Sequence, residues 1–279
     1  MTLNNKTIAF IGAGNMAEAL IRGLIKAGIF SPQRIIATDV RADRLDFFRQ
    51  NFGVRVTDNN VTAVAEANIV VLAVKPQHVS AVLAGVRGKM SADKLIISIA
   101  AGVPTARIES ELAPKNSGVD GKARVVRVMP NTPALAGAGA SALAKGTHAT
   151  EEDLGTAEAI LGAVGITVRV EERFMDAVTA LSGSGPAYVF YTTEAMIKAG
   201  VTAGLDEALA KKLAIQTVYG AAKLLVESGE SPELLRRKVT SPGGTTEAAL
   251  KVMSERKLMG IFAEAVKAAE KRSRELSES

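Results

Sequence analysis

The sequence predicts an α/β chain: a doubly wound sheet over residues 1–168, followed by an all-helical domain over residues 169–279. Three observations carry that prediction. The chain opens on a short apolar run, a glycine-rich turn and an amphipathic stretch, TIAFIGAGNMAEALIRGLIKAG at residues 7–28. Short apolar runs and helical patterns then alternate as far as residue 170, as strands and helices do in a sheet covered on both faces. From residue 173 only helical patterns remain, most of them separated by Gly and Pro clusters such as SGSGP at 182–186 and SPGG at 241–244.

Residues 7–11 are almost wholly apolar, which suits a buried parallel strand. Gly12, Gly14 and Ala17 follow in G-x-G-x-x-A spacing. Gly12 permits the tight turn, Gly14 lets a pyrophosphate approach the backbone, and Ala17 lets the helix pack close to the sheet. Unpaired N–H groups at the helix start then hold phosphates. With a readable strand before it and helix after it, the motif is a dinucleotide fingerprint. Gly28 stops the helix. Residues 34–38, RIIAT, form a second strand ending at Asp39. An acidic side chain there, about twenty residues beyond the glycines, can reach the adenosine ribose hydroxyls. Arg41 and Arg44 follow, and either can instead hold a 2′-phosphate. Asp39 and Asp43 can equally cap the helix through residues 44–51. The local sequence leaves NAD and NADP both open.

Residues 54–56 make a third strand, 60–66 a brief helix, and 69–74, IVVLAV, a fully buried strand. Lys75-Pro76 ends that strand because proline cannot continue the ladder. In a doubly wound sheet such an end opens onto the cofactor crevice. The apolar run at 95–99 leads into Ala100-Ala101-Gly102, small residues that permit close ligand approach. Thr105 is a candidate cap for a helix through 108–112, and residues 114–122, PKNSGVDGK, read as an exposed loop. A strand at 124–128 runs into Met129-Pro130-Asn131-Thr132-Pro133, a rigid loop with two side-chain hydrogen-bonding groups. A strand at 140–144, a Thr150–Asp153 capping box before a helix to Leu161, and a last strand at 167–170 complete the alternation. The boundary falls near residue 168. Helical patterns then cover 173–181, 187–199, 206–227, 232–239, 246–255 and 258–276. Those at 187–199 and 206–227 are apolar over more of their circumference than a one-sided surface helix needs. They must bury a second face, most simply against a second copy of the chain.

At 279 residues the chain can bury a full core in two domains. Cysteine is absent, which excludes disulfides and thiolate metal sites. His78 and His148 stand alone and read as ordinary surface or packing residues, so no metal is expected. No basic block interleaves with aromatics, so no nucleic-acid partner is expected. No apolar run reaches spanning length and the N-terminus lacks a signal pattern, which predicts a cytoplasmic protein away from membranes. The net charge of +5 favours anionic ligands mildly, or reflects a solvated mixed-charge surface.

No Ser-His-Asp set or catalytic carboxylate pair is visible. A hydride-transfer site needs neither, because a nicotinamide carries the reactive group. The second distinctive stretch, TSPGGTT at 240–246, runs straight into a helix. Backbone N–H groups of Gly243, Gly244, Thr245 and Thr246 at that helix start make a carboxylate site, and two hydroxyls add hydrogen bonds. The alternative is a plain cap supplied by Thr245 or Thr246.

Five motifs now stand in order along nearly the whole chain: GAGNMA at 12–17, AVKPQ at 73–77, VMPNTPA at 128–134, LSGSGPAYVF at 181–190 and SPGGTTEAAL at 241–250. Together they resemble the pyrroline-5-carboxylate reductase family. The resemblance implies reduction of the cyclic imine 1-pyrroline-5-carboxylate to L-proline, the last step of proline synthesis, with NADPH and also NADH as cofactor. It implies an N-terminal Rossmann domain and a helical C-terminal dimerisation domain that interleaves between subunits, in dimers or rings of dimers. Carried over by position, it puts the pyrophosphate near Gly12, Ala13, Gly14, Asn15 and Met16. It puts Thr38, Asp39, Arg41 and Asn60 near the adenosine ribose. Ala73, Val74, Lys75, Pro76 and Ala100 line the crevice, with Asn131 and Thr132 near the nicotinamide end. The substrate carboxylate falls on Gly244, Thr245 and Thr246, and Thr246 matches the family threonine proposed to hydrogen-bond, and to protonate, the substrate nitrogen. One departure stands out: where some members have an amine-contacting Glu, Gly229 is the best match, with Glu230 next to it. β-Hydroxyacid dehydrogenases share the two-domain plan but need a lysine on the helix after a glycine-rich turn. PAYVFYTTEAMIK at 186–198 has none before Lys198.

Overall fold

The computed structural model describes Leu3, residues 5–113 and residues 123–278. The segment 114–122, read as a loop, lies outside the described residues. Among the described residues eight strands form one sheet: β1 (Ile8–Ile11), β2 (Ile35–Thr38), β3 (Arg55–Thr57), β4 (Ile69–Leu72), β5 (Leu95–Ser98), β6 (Arg124–Met129), β7 (Gly139–Lys145) and β8 (Gly165–Arg169). Their order is β3-β2-β1-β4-β5-β6-β7-β8. Every neighbouring pair is parallel except β6 with β7. The chain winds one way from β1 to β3 and the other way from β4 onward. The strand order therefore reverses beside β1, and the connections leaving β1 and β4 part there to open a crevice.

β1, β2, β4 and β5 are buried along their whole length, which explains their apolar sequences, with Thr38 and Ser98 the polar residues at the ends of β2 and β5. Alternate residues still serve opposite faces. Ile8 and Phe10 join one core with α1 (Asn15–Lys26), α2 (Ala42–Phe52) and α6 (Glu151–Gly162). Ala9 and Ile11 join the other with α3 (Asn60–Glu66), α4 (Val79–Val86) and α5 (Thr105–Leu112). Helix α4 was not marked in the sequence. Val79, Leu83 and Val86 are buried at helical spacing, but its cleft-lining side is Ala81, Val82 and Gly85, so the polar half of the pattern is missing.

The capping box at α6 is present as read: the Thr150 hydroxyl accepts from Asp153 N–H and the Asp153 carboxylate from Thr150 N–H. Thr105, by contrast, is the first helical residue and not the cap. Its N–H and hydroxyl both donate to the Glu172 carboxylate, at 2.8 and 2.5 Å. Neither Asp39 nor Asp43 caps α2, whose cap position is Arg41. The helix expected over 173–181 is broken into a short 3₁₀ turn, α7 (Met175–Val178) and a π-helical turn, Thr179–Gly183.

The chain divides into two compact units, Met1–Ser184 with Ala269–Ser279, and Gly185–Ala268. Strand–helix alternation ends at β8, beside the boundary read near residue 168. The first unit extends beyond it because Met175 packs with Ala142 and Ala144 of β7. The chain's end returns to this unit, where the Ser273 hydroxyl donates to Asp176 at 2.7 Å. In the second unit run α8 (Gly185–Thr202), α9 (Glu207–Ser228), α10 (Pro232–Lys238), α11 (Thr245–Glu255) and most of α12 (Leu258–Glu278). Asp206 and Ser231 cap α9 and α10. Only Ala210 and Ala214 of α9 are buried, while Phe190, Tyr219 and Val226 are 61, 59 and 83 % exposed. These helices carry apolar faces that the isolated chain does not cover. No helix among the described residues is long and apolar enough to cross a membrane.

Candidate functional site

The crevice is built from the ends of the strands. Gly12 turns the chain out of β1 at φ +103° and donates its N–H to the Thr38 carbonyl at 3.0 Å. A Cβ at Gly12 would lie 2.8 Å from the Ala73 carbonyl oxygen, so only glycine lets β1 and β4 end so close together. Gly14 is the cap residue of α1 and offers no side-chain acceptor to the first turn. The first N–H groups of a helix have no intrahelical partner and are open to an anion. A Cβ at Gly14 would meet nothing within 4 Å, so the space above this backbone is clear of protein. Asp39 braces the turn, its carboxylate accepting from Ala13 N–H at 2.9 Å and Arg41 N–H at 3.0 Å. A carboxylate has lone pairs beyond those two bonds, so Asp39 can still accept from a ribose hydroxyl. The Thr38 hydroxyl donates to Asn60 Oδ1 at 2.6 Å, fixing both at the same rim.

The cleft above these groups measures about 1170 Å³. Gly12, Gly14, Asn15 and Met16 line it at the start of α1. Thr38, Asp39, Arg41 and Asn60 line the β2 side, and Ala73, Val74, Lys75, Pro76 and Ala100 the side of β4 and β5. Met129, Pro130 and Thr132 lie at the far end. Two residues placed in the site by resemblance do not line it. Ala13 is fully buried, and Asn131 directs its amide to Ser182 and Ala140. Sequence reading missed Asp58, Val61 and the α4 residues, and took His78, which lines the cleft, for an ordinary surface or packing residue. The signal available for α4 was the stop at Pro76 followed by small apolar residues.

The two arginines have different fates. Arg44 donates from Nε to the Ala13 carbonyl at 2.9 Å, pairs with Glu18 at 3.0 Å and lies over the Phe47 ring. It holds the glycine loop from behind and does not line the cleft. Arg41 does line it, with its guanidinium on Asp43 at 2.7 Å. The hydrogen bond from Arg41 holds the Asp43 carboxyl below its ordinary range and raises Arg41 further. An exposed pair of this kind is worth little, so Arg41 is free to exchange Asp43 for a phosphate. The open backbone at Gly14, the uncapped start of α1 and the acid at the end of β2 together fit a dinucleotide.

In the other unit, Gly243 at φ +71° turns the chain into α11, whose cap is Gly244. Two of the four backbone donors expected to bind a carboxylate are engaged. Gly243 N–H donates to the Glu247 carboxylate at 2.8 Å, and Gly244 N–H to the Ser241 carbonyl at 3.0 Å. Thr245 and Thr246 open the helix, so their N–H groups have no intrahelical acceptor. Neither threonine caps it, and among the described residues neither hydroxyl has a hydrogen-bond partner. Glu230 is held by Lys238, whose Nζ reaches both carboxylate oxygens at 2.5 and 2.7 Å. Among the described residues no group of three or more His, Cys, Asp or Glu is placed to hold a metal ion.

The family model for pyrroline-5-carboxylate reductase dimerisation matches residues 172–276, and that for NADP oxidoreductase, coenzyme F420-dependent, matches residues 7–102. The chain is 46% identical to the pyrroline-5-carboxylate reductase of Methanosarcina acetivorans over 98% of its own length and 99% of the relative's. It belongs to the pyrroline-5-carboxylate reductase family. The reductase of Arabidopsis thaliana is 43% identical over 98% of this chain and 96% of that one. Among solved structures, the Coxiella burnetii pyrroline-5-carboxylate reductase superposes with a TM-score of 0.92 at 41% identity, covering 99% of this chain and all of the other. A Plasmodium falciparum pyrroline carboxylate reductase with NADP bound gives a TM-score of 0.84 at 29% identity, over 98% and 99% of the two chains.

Proposed function

We propose that this protein reduces 1-pyrroline-5-carboxylate to L-proline with NADPH, accepting NADH as well. The observation that carries the reading is one chain of the reductase family holding both a dinucleotide cleft and a helix start, at Thr245–Thr246, with uncommitted donors. The N–H groups at the start of α1 hold the pyrophosphate, Asp39 takes the adenosine ribose, and Arg41 takes a 2′-phosphate. When bound, the reduced nicotinamide supplies the hydride that the imine carbon accepts. The chain's own task is to hold the acceptor and to hydrogen-bond its nitrogen. Thr245 and Thr246 N–H groups bind the substrate carboxylate at the positive end of α11. The substrate is received as its N-protonated iminium. Hydride addition turns the C=N π pair into the nitrogen lone pair, and the Thr246 hydroxyl donates a hydrogen bond to that developing lone pair. An iminium is already electrophilic, so a neutral hydroxyl suffices where an alcohol would need a lysine or histidine. Cofactor binding is assigned to residues 1–168, and substrate binding and dimerisation to residues 169–279, in a cytoplasmic enzyme.

An assay of NADPH oxidation with and without the imine tests this. Turnover is expected only with pyrroline-5-carboxylate or a close cyclic imine. Turnover with 3-hydroxyisobutyrate and none with the imine would overturn it. In the same assay, Arg41→Ala is expected to raise KM for NADPH about tenfold and to change KM for NADH little, since charge-assisted bonds to phosphate are strong. Equal changes for the two cofactors would show that Arg41 does not read the phosphate. The uncovered faces of α8 and α9 support a homodimer or a ring of dimers. Sedimentation should return at least twice the 29.1 kDa chain mass, and a monomer at micromolar concentration would contradict it.

A further inference from the structure

We infer that Asn131 is a positioning residue for the reduction. By one hydrogen bond it holds the π-helical turn Thr179–Gly183 beside the end of the cofactor cleft where the imine must be received. The inference rests on the reductase reading above.

Asn131 occupies the cap position of the 3₁₀ turn Thr132–Ala136 but makes no side-chain cap bond there. An asparagine in that position ordinarily turns its side chain back onto its own turn. Here the side chain reaches elsewhere. Nδ2 donates to the Ser182 carbonyl at 3.0 Å, 51 residues onward, and Oδ1 accepts from Ala140 N–H at 2.9 Å. One partner is an obligate acceptor and the other an obligate donor, so the amide fits in one orientation only.

The segment it holds is unusual. Single π turns inside helices are rare and cluster at functional sites. This one is closed by Ser184 N–H donating to the Thr179 carbonyl at 2.8 Å, and it carries the SGSG sequence that leads directly into α8. Gly183 lies so close to β6 that a Cβ there would come within 2.4 Å of Met129 Cε. Met129 itself lines the cofactor cleft. At the two ends of the turn, Thr179 and Ser184 line a second hollow of about 570 Å³. That hollow shares Pro76 and Ala101 with the cofactor cleft. The adenosine end of the cleft is marked by Asp39 at β2, so the nicotinamide end lies toward β4, β5 and β6. The turn is therefore a wall of the space adjoining the reactive end, and Asn131 fixes its distance from β6. Asn131 itself does not line the cleft, and its amide holds Ser182 and Ala140, so it acts on the acceptor's position and not on cofactor affinity.

Two variants separate its two bonds. Asn131→Ala removes both. Asn131→Asp keeps the acceptor for Ala140 and sets a carboxylate oxygen against the Ser182 carbonyl. Each is expected to lower kcat on the order of tenfold, since small misplacements of reacting groups cost up to about 10²-fold. The NADPH dissociation constant should stay within about twofold, and amide hydrogen exchange over residues 179–184 should quicken by about tenfold as the local opening free energy falls. An Asn131→Asp enzyme with wild-type kcat would overturn the proposal. So would unchanged exchange over 179–184, or a lowered melting temperature with kcat and KM intact. If Asn131→Ala does not fold, Asn131→Asp decides alone. If the wild type itself fails to oxidise NADPH with the imine, the functional reading falls, and the exchange measurement still judges the clamp.

Discussion

Thr246→Ala will lower kcat/KM for the imine on the order of 10- to 100-fold while the melting temperature holds. The size follows from losing a hydrogen bond to a charged substrate, worth about 1.5–3 kcal/mol, in the transition state. The rival explanation, that Thr246 caps its helix, predicts about 1 kcal/mol of lost stability and normal turnover. The backbone already argues against a cap role, because Gly244 occupies the cap and Thr246 is the second residue of α11. Alanine is the better helix former there by up to about 0.7 kcal/mol, so stability is expected to hold or rise slightly. Thr246→Ser keeps the hydroxyl and should recover most of the rate. NADPH affinity should be unaltered in both variants. Steady-state rates, melting temperature and NADPH titration on the pair decide the matter. A variant that melts lower but turns over normally would remove Thr246 from the chemistry.

Gly12→Ala and Gly14→Ala, two residues apart, will fail in different ways. At Gly12 the added methyl meets the Ala73 backbone at 2.8 and 2.9 Å, and φ +103° is strained for any L side chain. Strain of that kind costs about 1–3 kcal/mol, and the contact demands that β1 and β4 shift apart. Gly12→Ala should therefore melt several degrees lower, at about 2–4 °C per kcal/mol for a domain of this size, and bind NADPH at least about tenfold more weakly. At Gly14 the backbone is ordinary, φ −78°, and the methyl meets nothing within 4 Å. Gly14→Ala should fold with nearly wild-type stability yet lose NADPH affinity by a similar factor, because the methyl stands where the pyrophosphate must approach. Calorimetric melting and NADPH titration distinguish the two. Wild-type affinity in Gly14→Ala would mean that the pyrophosphate does not cross this backbone.

What was legible in the sequence shares one property: it depends on neighbours a few residues away. β1, β2, β4 and β5 were visible because strands buried on both faces must be apolar throughout. Thr150 and Asp153 announced their helix because a capping box closes within four residues. The glycine turn at 12–14 was legible because its φ and its packing exclude side chains locally. Helix α4 escaped because a helix facing a core on one side and a cleft on the other keeps no polar stripe.

The partners of individual polar groups were another matter. Thr105 looked like a cap until its N–H and hydroxyl met Glu172, 67 residues away. Arg41 and Arg44 looked equivalent until the fold set Arg44 against Ala13 and Glu18 and left Arg41 facing the cleft. For Asn131, placed near the nicotinamide end by resemblance, the fold supplied two distant partners for its amide, Ser182 and Ala140. Hydrophobic periodicity and capping are short-range rules, so sequence alone determined the doubly wound sheet, the helical second half and the two glycine-rich stretches. A buried or half-buried polar group takes whichever donor or acceptor the folded chain brings within about 3 Å. That choice depends on residues tens of positions apart, and only the tertiary structure made it.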